Sequence, residues 1–138
     1  MIEEQIIDFF EGKAEVVGVY LFGSYVSGKQ RVGSDLDIAL LFDSRDRTIV
    51  SRLIEQYRSE LTRLFRRDVH LVALNFSGEA LNRQILKKGR CVVVRDPQKI
   101  ARFRMTALSK IFDFEYHFNK MQSGLIRKVA GGSFHGRP

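Results

Sequence analysis

The chain has one cysteine, Cys91, and two prolines in 138 residues. A lone cysteine cannot close an internal disulfide, and Cys and His form no four-ligand cluster for structural zinc. Both absences fit a reducing cytosol. No stretch approaches the ~18 apolar residues of a membrane span. The opening MIEEQIIDFFEG is acidic where a secretory signal is basic, so a soluble protein of the cytoplasm is expected. With 11 Gly, 44% hydrophobic and 28% charged residues, collagen, low-complexity and disordered classes are excluded. The length suits one domain that buries roughly two thirds of the surface exposed by its unfolded form. Acidic side chains are the scarcer charge: 16 Asp plus Glu stand against 23 Lys plus Arg, a formal net charge of +7, with a pI near 9.9. That excess points to a polyanionic partner or substrate. Charge alone leaves a nucleoside triphosphate, RNA and an acidic protein surface open.

Hydrophobic periodicity orders the chain into alternating helices and strands. Ile2, Ile6, Phe9 and Phe10 share a helical face that Gly12 ends. Val16 to Phe22 is β-branched and aromatic without a helical period, which predicts a buried strand ending at Gly23. SYVSGKQRVG is too short and Gly-broken for more than a helical turn or two. Asp35 to Phe42 alternates and then turns fully apolar, as a strand does on running from an exposed edge into a core. Val50, Leu53, Ile54, Tyr57, Leu61, Leu64 and Phe65 recur at steps of three and four and predict a long helix. Val69 to Leu74 reads as a third strand, Ala80 to Lys88 as a short helix stopped by Gly89, and Cys91 to Arg95 as a fourth strand.

Asp96-Pro97 has the form of an N-cap followed by proline at the first helical position. From there Ile100, Phe103, Ala107, Ile111, Phe114, Phe118, Met121 and Leu125 keep a three-four rhythm for about seven turns. A second apolar set, Met105, Leu108, Phe112 and Tyr116, gives this helix more apolar surface than one seam needs, consistent with broad burial or with a partner interface. The terminal GGSFHGRP lacks periodicity. The expected organisation is one domain over residues 1–128 with a flexible tail over 129–138. The expected class is α/β, a mixed sheet of about four strands flanked by helices and closed by a long C-terminal helix.

Chemistry concentrates in FGSYVSGKQRVGSDLDIALLF, residues 22–42. Gly23 and Ser24 follow a strand, ten residues intervene, and Asp35 and Asp37 open the next strand. Residues i and i+2 of a strand point to one face, so the two carboxylates project together where Mg²⁺ can take oxygens from both. Two like charges that close are unfavourable without a cation. Gly23 lets backbone approach phosphate oxygens, the Ser24 hydroxyl and nearby N–H groups can donate to them, and Lys29 and Arg31 on the same loop can meet triphosphate charge. The same residues also spell GxxxxGK, and IALLFD imitates a hydrophobic strand ending in a carboxylate. Two departures set that reading aside. Gln30 stands where a P-loop needs a hydroxyl on Mg²⁺, and a strand, not a full helix, begins about five residues after Lys29.

The GS, ten residues, DxD pattern resembles the minimal nucleotidyltransferases of the polymerase-β-like superfamily. Within it the chain is most similar to the MNT antitoxins of MNT/HEPN toxin–antitoxin pairs, through its small size, element order, closing helix and the 22–42 core. The resemblance implies the polymerase-β-like fold, binding of ATP as substrate with Mg²⁺, and transfer of AMP to a hydroxyl with release of pyrophosphate. For the antitoxin branch it implies that the hydroxyl belongs to a tyrosine of a cognate HEPN ribonuclease toxin, silenced by the transfer, and a hetero-oligomer of the two. Carried over by residue, Gly23 and Ser24 match the phosphate-binding turn, and Asp35 and Asp37 the metal-binding pair. Relatives of this type commonly carry a third Asp on the next strand, in a spelling like VDLVDL, where this sequence has VHLVAL at 69–74. His70 then takes the third-carboxylate position and Ala73 replaces a second Asp. A neutral imidazole can serve as base or ligand, though oxygen suits Mg²⁺ better. Asp68, two residues earlier, shares that strand face and offers a substitute carboxylate.

The remaining basic residues have plainer explanations. Arg63, Arg66 and Arg67 end the long helix, where cations favourably meet its dipole. Lys87, Lys88 and Arg90 lie beside a turn, and Arg95, Lys99, Arg102 and Arg104 line the start of the last helix as a possible patch toward a toxin or its RNA. Stacking aromatics are not interleaved there, which argues against direct RNA binding by this chain. His117 and His135 have no partner spacing and read as surface residues. Two alternatives stand beside the transferase: an antitoxin that neutralises by binding through its last helix with a relict site, and a transferase acting on a small-molecule hydroxyl. The short chain disfavours the latter, since a small substrate needs more enclosure than one such domain gives.

Overall fold

A computed structural model of the chain describes residues 2–28 and 35–109. Its order is α1 (Ile2–Phe10), β1 (Val16–Phe22), α2 (Ser24–Ser27), β2 (Leu36–Phe42), α3 (Arg47–Phe65), β3 (Val69–Ala73), α4 (Glu79–Lys88) and β4 (Arg90–Val94). A further helix, α5, runs over 97–109 to the end of the described residues. The strands form one mixed sheet in the order β3-β2-β1-β4. β1 is antiparallel to β2 and β4, whereas β2 and β3 are parallel and joined by the α3 crossover. The expected mixed four-stranded α/β architecture is borne out.

Strand alternation sends side chains to two apolar layers. One face carries Val19, Leu21, Leu36, Ile38, Leu40, Val69 and Leu71, packed with Ile6 and Phe10 of α1 and Val50, Tyr57 and Leu61 of α3. The other carries Val17, Tyr20, Phe22, Ala39, Leu41 and Leu74, packed with Ile85 of α4 and Ile100 of α5. Both faces of β1 and β2 are therefore covered, which is why these two strands read as nearly continuous apolar runs. Phe9, Phe10 and Tyr57 pack edge to face beneath the first layer. The Tyr57 hydroxyl donates to Glu15 Oε1 at 3.1 Å. Burial, and secondarily the Glu15 carboxylate, push this phenol well above its ordinary range.

The ends of the elements are set by local bonds. The Asp46 carboxylate accepts from the N–H groups of Thr48 and Ile49, at 3.0 and 3.3 Å, so α3 starts three residues before the first residue of its apolar stripe. Asp96 Oδ1 accepts from Lys99 N at 3.2 Å, the cap expected ahead of Pro97. Arg95 leaves the sheet, where its place in the sequence suggested strand and then surface patch. Its guanidinium donates to the carbonyls of Phe10, Lys13 and Val16, closing the C-terminal end of α1. Lys99 pairs with Asp43 and lies 3.9 Å from Asp96, so two of the four cations of the expected patch serve the fold. On α5, Ile100 is buried and Phe103 packs on the second layer, while Met105 is 72% exposed. The rest of the predicted seven-turn helix, with Phe112 and Tyr116, and the tail expected at 129–138 lie outside the described residues.

Candidate active site

The two halves of the GS and DxD pattern meet at one corner of the sheet. Asp37, second residue of β2, lies opposite Phe22 of β1 on one side and His70 of β3 on the other. It belongs to the face that also carries Ala39 and Leu41, the side of α4 and α5. His70 Nδ1 is 3.2 Å from Asp37 Oδ1. A carboxylate oxygen accepts here, so in a neutral imidazole this contact selects the tautomer with the proton on Nδ1, whose Nε2 carries the lone pair. The Phe22 ring meets the imidazole edge-on, with centroids 6.3 Å apart. The His70 side chain is 58% exposed against 21% for Asp37, so the imidazole is open to a partner while the carboxylate is held from beneath.

Gly23 explains the hold. Its φ of 76° is one that L side chains rarely adopt, and a Cβ added there would fall 2.1 Å from Asp37 Oδ2. The carboxylate packs directly over the turn, so any larger residue would displace it. Ser24–Ser27 makes one helical turn, closed by the Ser27 N–H donating to the Gly23 carbonyl at 3.1 Å and ended by Gly28. Ser24 is half-buried at its start. Beside this turn a cleft of about 470 Å³ is lined by Phe22, Gly23, Ser27, Gln84 and Lys88. The last two come from α4 and were not singled out by motif.

The other expected site residues fall less tightly. Asp35 is exposed and precedes β2 by one residue; the strand alternation carried back puts it on the Asp37 side. Asp68 is also exposed, and its carbonyl accepts from Leu36 N at 3.0 Å. Its charge is felt across the chain at Arg58 of α3, a guanidinium held protonated chiefly by Glu55. Ala73 packs in the opposite layer, with Val69 and Leu71. Of the two departures in VHLVAL, only His70 therefore faces the corner. Lys29 and Arg31 lie outside the described residues.

Among the described residues, no three His, Cys, Asp or Glu side chains converge as a ready-made metal site. The donor set on offer is Asp37, with Asp35 one alternation away. That set fits Mg²⁺, which is habitually held by one or two carboxylates and completed by substrate phosphates and water. Among the described residues no helix is long and apolar enough to cross a membrane.

Solved structures of the same size share this fold. A toxin–antitoxin structure with AMP-PNP is 25% identical, with a TM-score of 0.69 over 94% of this chain and 99% of that chain. A mutant of the toxin–antitoxin MntA–HpeT is 26% identical, with a TM-score of 0.66 over 93% and 97%. A complex of tri-AMPylated Shewanella oneidensis HEPN toxin with MNT antitoxin is similar in fold, at 23% identity and a TM-score of 0.62 over 93% and 95%. No curated protein matches the chain. Residues 4–98, which span α1 to the second residue of α5 and include the whole corner, match the family described as polymerase beta, nucleotidyltransferase. Matched by that family over more than half of its length, the chain belongs to the polymerase beta nucleotidyltransferase family.

Proposed function

We propose that this chain is an antitoxin-type adenylyltransferase: it moves AMP from Mg-ATP to a tyrosine hydroxyl of a cognate HEPN ribonuclease toxin and silences it. The observation that carries the reading is the contact of Asp37 with both Gly23 and His70, which joins a phosphate-binding turn, a metal ligand and a proton acceptor at one open corner. Structural relatives described as a toxin–antitoxin with AMP-PNP and as an MNT antitoxin with a tri-AMPylated HEPN toxin support the nucleotide and the class of partner. The two would form a hetero-oligomer. Residues 1–128 would be the transferase domain and 129–138 its tail.

Asp35 and Asp37 would hold Mg²⁺, whose charge, when it is bound, stabilises the developing charge on the transferred phosphoryl group and on the departing pyrophosphate. Gly23, having no side chain, lets the turn backbone approach the phosphates, and the Ser24 hydroxyl donates to them. Lys29 and Arg31 would complement triphosphate charge. The acceptor oxygen attacks the α-phosphorus, its bond to phosphorus forms, and the bond from phosphorus to the oxygen bridging the β-phosphate breaks. The acceptor proton passes to Nε2 of His70, which Asp37 holds in the accepting tautomer, and then to water. Asp68 is the second group for this role, since it lies at the same end of the β2–β3 pair.

A second reading, neutralisation by binding alone, is favoured by one observation: an imidazole occupies the third-carboxylate position, and no three-acid cluster forms among the described residues. One experiment separates the two. The purified protein is incubated with Mg²⁺ and α-labelled ATP in a lysate of its source cells, beside the Asp35→Asn, Asp37→Asn double variant. A labelled protein band with the wild type only supports the transferase and identifies its target by mass. No label, with a stable co-purifying partner, supports binding alone.

A further inference from the structure

The cleft beside Gly23 has a second wall that the proposed chemistry leaves unused. Gln84 and Lys88 line it from α4, opposite Phe22, Gly23 and Ser27 of the turn. A spacing of four puts both on one helical face, while their neighbour Ile85 is buried in the core. The helix end is held against the end of β1. Gly89 N donates to the Ile85 carbonyl at 2.8 Å, and a Cβ at Gly89 would come within 2.5 Å of that oxygen and 3.0 Å of the Leu21 carbonyl. Lys88 thus directly precedes the glycine that packs against Leu21 of β1, the strand that delivers Gly23. Among the described residues its ammonium makes no ion pair.

A cation in the last turn of a helix is also what the helix dipole favours, and the adjacent Lys87 supplies the comparison. It shares the same last turn and the same charge but does not line the cleft. The dipole accounts for both lysines; only Lys88 is in addition aimed at the space beside the phosphate turn. A compact ammonium on a flexible stem suits clustered phosphate oxygens, and a side-chain amide one turn earlier can donate to the same group.

Resting on the nucleotidyl-transfer reading, we infer that Lys88, assisted by Gln84, is a positioning residue for the triphosphate, holding the β- and γ-phosphates that leave as pyrophosphate. The chemistry that it recognises is the polyphosphate beyond the α-phosphate, so it separates ATP from AMP. The test measures binding of a non-hydrolysable ATP analogue and of AMP, both with Mg²⁺, to the wild type and to Lys88→Ala, Lys88→Arg, Gln84→Ala and Lys87→Ala. Lys88→Ala should weaken the analogue about tenfold or more, the scale of one charge-assisted hydrogen bond, with AMP changed less than about twofold. Lys88→Arg should recover most of the loss, Gln84→Ala should show a smaller selective loss, and Lys87→Ala should match the wild type. Equal effects of Lys87→Ala and Lys88→Ala, or equal weakening of AMP and the analogue, would overturn the assignment while leaving the transferase reading intact. A wild type that binds neither nucleotide would overturn both.

Discussion

Asp37 and His70 stand opposite each other in the parallel β2–β3 pair, with Oδ1 and Nδ1 3.2 Å apart. The pairing sets Nδ1 of the imidazole against the carboxylate, and in the proposed function Nε2 is the proton acceptor. His70→Gln keeps a hydrogen-bonding side chain and removes the proton acceptor. Its turnover should fall about 10²- to 10⁴-fold, the range for a general base, with binding of an ATP analogue unchanged. Single-turnover transfer and equilibrium binding measured side by side check this. Unchanged turnover would move the role to Asp68.

Gly23→Ala tests the other contact. The new methyl meets Asp37 Oδ2 and the backbone sits at positive φ, so the variant should lose about 1–3 kcal/mol of stability together with its transfer activity. Urea unfolding and a transfer assay read the two losses separately. Wild-type values in both would contradict the packing described.

Arg95 discriminates a structural cation from a binding one. Arg95→Met strands the carbonyls of Phe10, Lys13 and Val16, and a loss of about 3 kcal/mol is expected from a charged donor removed from several acceptors. Nucleotide binding should not change. A stable variant with weakened partner binding would restore the surface-patch reading.

Alkaline pH should destabilise the fold through Tyr57. Its folded phenol titrates above the unfolded value near 10, raised first by burial and then by Glu15. The protonated form therefore stabilises the native state fully below pH ~10, and that contribution is lost as pH rises toward the folded value. Tyr20, raised chiefly by its burial, adds to the same slope. Urea midpoints should fall between pH ~9 and ~11, and Tyr57→Phe should flatten the decline. An unchanged slope in that variant would exclude Tyr57 as its source.

Much of this architecture is legible in local sequence because both faces of β1 and β2 are buried, leaving apolar runs that no helix period explains. β1 spans the predicted Val16–Phe22, and β2 starts one residue later than expected because Asp35 lies outside the ladder. The DxD spacing and the strand period together put Asp35 and Asp37 on one face. What escaped depends on non-local pairing. Only the parallel register brings His70 to Asp37, and strand parity, hidden in the spelling VHLVAL, sends Ala73 to the other layer. Lys88 reaches the Gly23 cleft because β4 pairs with β1, a contact that no periodicity announces. Arg95 carried the pattern of a surface charge, and only the docking of α1 against β1 and β4 makes it a carbonyl clamp. One signal was readable and unused: Asp46 ahead of the long apolar stripe marks the start of α3.

The central claim is that the corner formed by Gly23, Asp37 and His70 transfers AMP to a protein. Following the phosphorus tests it most directly: the protein and its labelled target are incubated with Mg²⁺ and ATP carrying the label at either the α- or the γ-phosphate, and the target's intact mass is measured. Label from the α position alone, a mass increase in whole AMP units on tyrosine, and neither with Asp35→Asn, Asp37→Asn are the predicted results. Label from the γ position, or an AMP-bearing target with the double variant, would contradict the account.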